Sequence, residues 1–157
     1  MPSVIRGSDD LDSGKIVTPD AFIAHTANAL TIPNSTPSKV VFSATDLNRN
    51  SIYNASNGTF TVSEAGLYLI TSQCLVAKGY ATRVDIIFHK NGAWVDAKEV
   101  NPIPSTASNY SVEGTTYQYL NAGDTIEVYV QIVGASGSLY VASGQTQFNR
   151  FAAAKIG

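Results

Sequence analysis

The chain has 157 residues, 44% hydrophobic and only 14% charged, with a formal net charge of −2. That length suits one domain with a sizeable core, and a surface so short of charge is covered either by Ser, Thr and Asn or by neighbouring molecules. The ten Lys and Arg residues scatter from Arg6 to Lys155 without a cluster, which argues against a nucleic-acid partner, and no stretch approaches the ~20 apolar residues of a membrane span.

Residues 1–20 read as an extended N-terminal attachment arm, with the domain proper at 21–157. Val4, Ile5 and Arg6 form a short sticky segment, and Asp9, Asp10 and Asp12 lie in an acidic, turn-rich stretch. These six are the candidate partner-binding residues of the arm. The Asp10-x-Asp12-Ser13 order invites a calcium reading, but the fifth position is Gly14 and no Glu stands at the twelfth, so no metal is assigned. Met1 to Arg6 lacks the apolar run of a secretory signal, and synthesis in the cytoplasm is expected.

Phe22 to Ala27 opens the first strand. A proline-containing loop covers 33–38, a short strand Lys39 to Ser43, and a turn Asp46 to Asn50. Asn57-Gly58 is a tight-turn signal, since both residues tolerate positive φ. Thr59 to Val62 is a short strand, Glu64-Ala65-Gly66 turns the chain, and a long strand runs from Leu67 to Leu75. Its first four residues, Leu67 to Ile70, are apolar on both faces and need cover on both sides. Between Thr82 and Lys90, Val84, Ile86 and Phe88 alternate with Arg83, Asp85, Ile87 and His89, and Asn91-Gly92 makes a second hairpin turn. After a loop at 102–108, Tyr110 to Leu120 reads as a strand. Beyond the turn at Asn121 to Asp124, Ile126, Val128, Val130 and Ile132 alternate with Thr125, Glu127, Tyr129 and Gln131. A loop at 134–138 and strands at Leu139 to Ala142 and Phe148 to Ile156 complete the chain. With no helical periodicity, the pattern predicts an all-β fold, a jelly-roll β-sandwich of eight to ten antiparallel strands.

Signs of catalysis are few. Cys74 is the only cysteine and lies in an apolar strand pattern, as a small buried hydrophobe does. His25 and His89 lack metal-spaced partners, and no Gly-x-Ser-x-Gly elbow appears. Asp85, Asp96, Glu99, Glu113 and Glu127 read as surface charges. No catalytic, cofactor-binding or metal-binding residue is assigned, and the chain is expected not to be an enzyme and to need no cofactor.

Phe42, Tyr53-Asn54, Gly58-x-Phe60-Thr61 and Gly66-Leu67-Tyr68-Leu69-Ile70 occur in an order that resembles the globular head of complement component 1q. Lys90-Asn91-Gly92, Leu120-x-x-Gly123-Asp124-x-Ile126-x-Val128 and Ser143-Gly144 agree. That family shares its jelly roll with the tumour necrosis factors, and the resemblance covers about residues 22–156. Phe148-Asn-Arg-Phe151 and the Ala152 to Ala154 run depart from the family's Ser-x-Phe-x-Gly ending. No collagen-like stem is present, and the chain looks most like the relatives found in bacteriophage particles. The resemblance implies a homotrimer around a three-fold axis, with Tyr68, Leu69, Tyr117, Tyr119 and Tyr129 as candidate interface residues. It also implies a virion location and a structural role: a capsid decoration or cement protein, its arm bound to the major capsid protein or another virion protein. The alternative is a tail-fibre or baseplate tip that binds a host-surface glycan or protein. The loops at 78–81, 101–109 and 133–138 would then make contact, with Tyr80 and Trp94 as stacking platforms. Neither reading calls for nucleic acid or a membrane.

Overall fold

The computed structural model describes residues 19–77, 81–100, 109–140 and 148–157. The strands are β1 (Ala21–His25), β2 (Thr31–Ile32), β3 (Ser38–Lys39), β4 (Ala44–Asn48), β5 (Tyr53–Asn54), β6 (Thr59–Thr61) and β7 (Gly66–Ala77). They continue as β8 (Arg83–Lys90), β9 (Ala93–Val100), β10 (Asn109–Leu120), β11 (Thr125–Val133), β12 (Gly137–Leu139) and β13 (Arg150–Lys155). Two antiparallel sheets result. Sheet I runs β10–β7–β13–β1–β4, with β12 and then β2 also on β13's side of β7. Sheet II runs β9–β8–β11–β6–β5, with β3 also beside β11.

Strand β7 organises sheet I. It pairs with β10 along its whole length, from Gly66 opposite Leu120 to Ala77 opposite Asn109. Because strand side chains alternate, Tyr68, Ile70, Ser72, Cys74 and Val76 turn inward and are buried. Sheet II answers with Val84, Ile86 and Phe88 of β8 and Ile126, Val128, Val130 and Ile132 of β11, all essentially inaccessible. At one end the core is aromatic. Phe22 stacks on Tyr53 at 4.7 Å and meets Phe151 edge-on at 4.8 Å, with Phe60 at 5.1 Å. The buried Tyr53 hydroxyl donates to the Phe42 carbonyl (3.0 Å) and accepts from its amide (3.2 Å), which meets the polar demand of a phenol in a core. Burial pushes the Cys74 thiol up to about 12, so the chain's one cysteine is inert while the fold is intact.

The expected hairpin turns form, with Asn91 and Gly92 at φ 52° and 79° and Gly58 at 74°. Gly58 is needed twice over, because a Cβ there would also stand 2.9 Å from the Val40 carbonyl oxygen. Three expectations change. The turn at Asp46 to Asn50 is mostly strand: β4 pairs with β1 across a bulge at Ile23/Ala24, followed by a 3-10 turn at Arg49–Ser51. An edge strand needs only one apolar row, so its polar sequence resembles a loop. The strand at Lys39 to Ser43 shortens to Ser38–Lys39, although the Val40 amide still donates to the Val128 carbonyl (2.9 Å). Among the described residues the strand count rises to thirteen because two-residue pieces (β2, β3 and β5) pair briefly along the long connections.

Truncating Phe22 to Ala should cost roughly 3–5 kcal/mol of stability, because its three aromatic neighbours, Tyr53, Phe60 and Phe151, cannot collapse into the void. Urea titration checks this, and a loss below about 1 kcal/mol would contradict the packing described. In the folded protein Cys74 should not react with a thiol reagent that labels the urea-unfolded chain at once.

Candidate functional site

The outward side of sheet I forms an ordered surface. Opposite residues in the ladder share a face, so rows cross the sheet from edge strand β10 to edge strand β4. One row is Tyr117, Leu69, Ala154 and Ala21, and the next is Thr115, Thr71, Ala152, Ile23 and Leu47. Tyr119 lies opposite Leu67 at one end, while Glu113, Gln73, Arg150 and His25 form a polar row at the other. Tyr117 and Tyr119 are 63% and 66% exposed, and Leu67 is 37% exposed. On the β13–β1–β4 side, where Ala152 and Ala154 present only methyl groups, the surface sinks into an apolar hollow of about 310 Å³. Ile23, Leu47 and Leu69 contribute to its lining. His25 Nδ1 and Arg150 both approach the Asp46 carboxylate, at 3.3 and 3.0 Å, and close the polar end.

A second constellation sits at the root of the arm. Asp20 is fully buried. Its carboxylate accepts from Ser63 Oγ (2.5 Å), the Ser63 amide (3.0 Å), Asn50 Nδ2 (2.8 Å) and Tyr68 Oη (2.7 Å). Burial pushes this carboxyl up, but the hydrogen bonds from Ser63, Asn50 and Tyr68 outweigh it and hold the group below its ordinary value. Burial, and then the hydrogen bond to Asp20, push the Tyr68 phenol up. The Asp20 carbonyl accepts from the Lys155 amide (2.9 Å), so the chain enters the domain at a fixed point.

The five residues expected at a subunit contact part company. Leu69, Tyr117 and Tyr119 share the outward face of sheet I. Tyr68 does not: alternation turns it into the core, and its hydroxyl is committed to Asp20 Oδ2 and the Glu64 carbonyl (2.8 Å). Tyr129 lies outward on the other sheet, its ring stacked on His89 at 4.1 Å. Alternation along one strand tells inside from outside but not which sheet a strand joins. Val4, Ile5, Arg6, Asp9, Asp10 and Asp12 lie outside the described residues, as do Tyr80 and the 102–108 loop. Asp20, assigned to the arm, belongs structurally to the domain. The hollow around Ala152 and Ala154 went unseen in sequence, although the alanine run that departs from the family ending was its signal.

Among the described residues, no three His, Cys, Asp or Glu side chains gather as a metal site requires. Asp85, read as a surface charge, is buried and paired with Arg83 at 3.1 Å. Glu127 is tied to Lys39 at 2.6 Å.

Asp20→Asn should destabilise the domain by roughly 1.5–3 kcal/mol, since the amide cannot accept all four bonds made to the charge. A carboxyl depressed in the folded state stabilises above its unfolded value, near 4, and that stability is lost as pH falls through the lower folded value. Urea midpoints should therefore fall less steeply on acidification in Asp20→Asn than in the parent, and parallel curves would contradict the role assigned to Asp20.

No curated protein matches this chain. Among solved structures it is similar to murine APRIL (crystal structure at pH 8.0), with 17% identity, a TM-score of 0.66 and coverage of 88% of this chain and 100% of that one. The Eiger TNF of S. frugiperda gives 14% identity and a TM-score of 0.66, over 89% of this chain and 94% of the other. The globular domain of zebrafish complement 1qA protein gives 15% and 0.60, over 88% and 98%. At such identities the likeness speaks for the jelly-roll fold. The sequence description of the C1q domain matches residues 21–151, most of the chain and all but the closing residues of the sandwich, and the chain belongs to the C1q domain family.

Proposed function

We propose that this chain is a non-enzymatic assembly module that forms a homotrimer through the outward face of sheet I. The observation that carries this reading is the shape and chemistry of that face. Two tyrosines project at the β10 edge, and an alanine-floored hollow opens towards the β4 edge. Grouped exposed apolar side chains on a soluble protein mark contact surfaces, and Tyr joins a large apolar area to a polar tip. Projection and hollow lie at opposite edges of one face, so the contact they fit is head-to-tail, which gives a finite assembly when it closes into a ring. A three-membered ring is what the resemblance to the complement and necrosis-factor heads implies.

Within that reading, the trimer is a bacteriophage virion protein that decorates or cements the head. Its arm, with Val4, Ile5, Arg6, Asp9, Asp10 and Asp12, grips the major capsid protein or another virion component. The low charge of the chain and the fixed exit of the arm at Asp20 support this. Asp20 adjoins Ala21, which lines the hollow, so the arm leaves from the rim of the subunit contact. Placement at a tail-fibre or baseplate tip is the second reading, favoured by one observation: a half-exposed Trp94 on the opposite sheet.

Leu69→Asp, and separately Tyr117→Ala with Tyr119→Ala, should convert a particle of three 16.6 kDa chains into folded monomers in sedimentation velocity. A trimer that survives both changes would refute the interface. Deleting residues 1–18 should leave the trimer intact yet unable to decorate particles, and normal decoration by the truncated protein would refute the role of the arm.

A further inference from the structure

Trp94 is the chain's single tryptophan and stands 56% exposed on edge strand β9. Indoles are usually well buried, so the exposure calls for a use. Trp94 pairs with His89 of β8, just past the bulge in that ladder, which places both side chains on one face. His89 pairs on its other side with Glu127 of β11, and its ring lies on that of Tyr129, centroids 4.1 Å apart and planes 22° from parallel. Glu127 Oε1 accepts from Lys39 Nζ (2.6 Å) and Thr59 Oγ1 (3.0 Å), and Tyr129 Oη donates to Oε2 (3.3 Å). A continuous row therefore crosses four strands of sheet II, from Thr59 through Glu127 and His89 to Trp94. At the spacing of neighbouring strands it is roughly 14 Å long, the length of two or three sugar rings.

We propose that this row is a binding platform for a neutral oligosaccharide. One sugar ring lies on Trp94 and the His89–Tyr129 ledge, and hydroxyls of the next bond to Glu127, Lys39 and Thr59. The chemistry selects this occupant. Aromatic faces offer apolar contact to the C–H side of a sugar, and a few fixed polar groups set its orientation. Lys39 spends two of its three donors on Glu127 and Thr59, leaving one, and a carboxylate retains lone pairs for hydroxyl donors. The pair cancels its own charge, so the row offers an ionic ligand no net attraction. Burial pushes the Glu127 carboxyl up, but hydrogen bonds from Lys39 and Thr59 outweigh this and hold it below its ordinary value, so the pair persists at neutral pH. These groups already restrain one another, and little ordering remains to be done on binding. A second copy of the chain is a poor occupant, because one indole offers far less than the ~800 Å² per partner of a stable protein contact. The platform is flat, so a single site binds weakly, and copies held on one assembly would gain by avidity. It does not rest on the trimeric reading, since one subunit carries the whole row.

The test is titration of the full chain with chitotriose, cellotriose, maltotriose and lactose, and with sialyllactose as the anionic counterpart of lactose. Trp94 fluorescence reports on this row alone, and amide shifts locate the contact. At least one neutral sugar should give a saturable blue shift at millimolar concentration, with shifts gathered at Thr59, Glu127, His89 and Trp94. Trp94→Ala, at an exposed edge position that keeps the fold, should weaken binding about tenfold or more by calorimetry, as should Glu127→Gln. The proposal is overturned if no neutral sugar gives a saturable change, if sialyllactose binds more tightly than every neutral sugar, or if shifts lie elsewhere and persist in Trp94→Ala.

Discussion

The two-residue period of β7 is the constraint on which the rest of the molecule depends. Flanked by β10 on one side and by β13 and β12 on the other, it cannot shift by one residue without turning Tyr68, Ile70, Cys74 and Val76 outward. The core therefore fixes the opposite face as well. Leu67 and Leu69 point away from the sandwich beside Tyr119 and Tyr117 of β10, and Leu69 has Ala154 of β13 on its other side. The apolar excess at the start of this strand is thus divided: half belongs to the core and half to the outside.

Asp20 performs a different service at the same place. A buried carboxylate is costly unless its partners are complete, and here Ser63, Asn50 and Tyr68 complete it. The inward side chain of β7 that comes nearest to the arm is spent on holding the entry point of the chain. One tyrosine thus ties β7 to the point where the chain enters the domain. Its neighbour Leu69 remains free to face another molecule.

Much of this was legible in sequence. Alternation at Val84 to Phe88 and at Ile126 to Ile132 placed the core of sheet II, and Asn57-Gly58 and Asn91-Gly92 placed its turns. The long pairing of β7 and β10 was not legible, since β10 is largely polar and nothing local names its partner. What failed did so for physical reasons. β4 was read as a turn because an edge strand with one covered side carries few apolar residues. Tyr129 was grouped with Tyr117 and Tyr119 because alternation is silent on which sheet a strand enters, and Tyr68 because Leu67 to Ile70 is apolar on both faces and so does not show which face is the core. Asp20 looked like part of an acidic tail, since nothing local reveals that Asn50, Ser63 and Tyr68 converge on it from 30 to 48 residues away.

The sandwich has two unlike sides. Sheet I carries tyrosines and an alanine-floored hollow, the face proposed for assembly, whereas sheet II carries an aromatic and polar row that ends at the exposed Trp94. Oxidative footprinting across a dilution series reads both sides at once. At concentrations where the chain is assembled, Tyr117 and Tyr119 should resist modification and become reactive on dilution, while Trp94 oxidises readily throughout. Tyr117 and Tyr119 reacting as fast in concentrated as in dilute protein would contradict the claim that sheet I is the face the assembly covers.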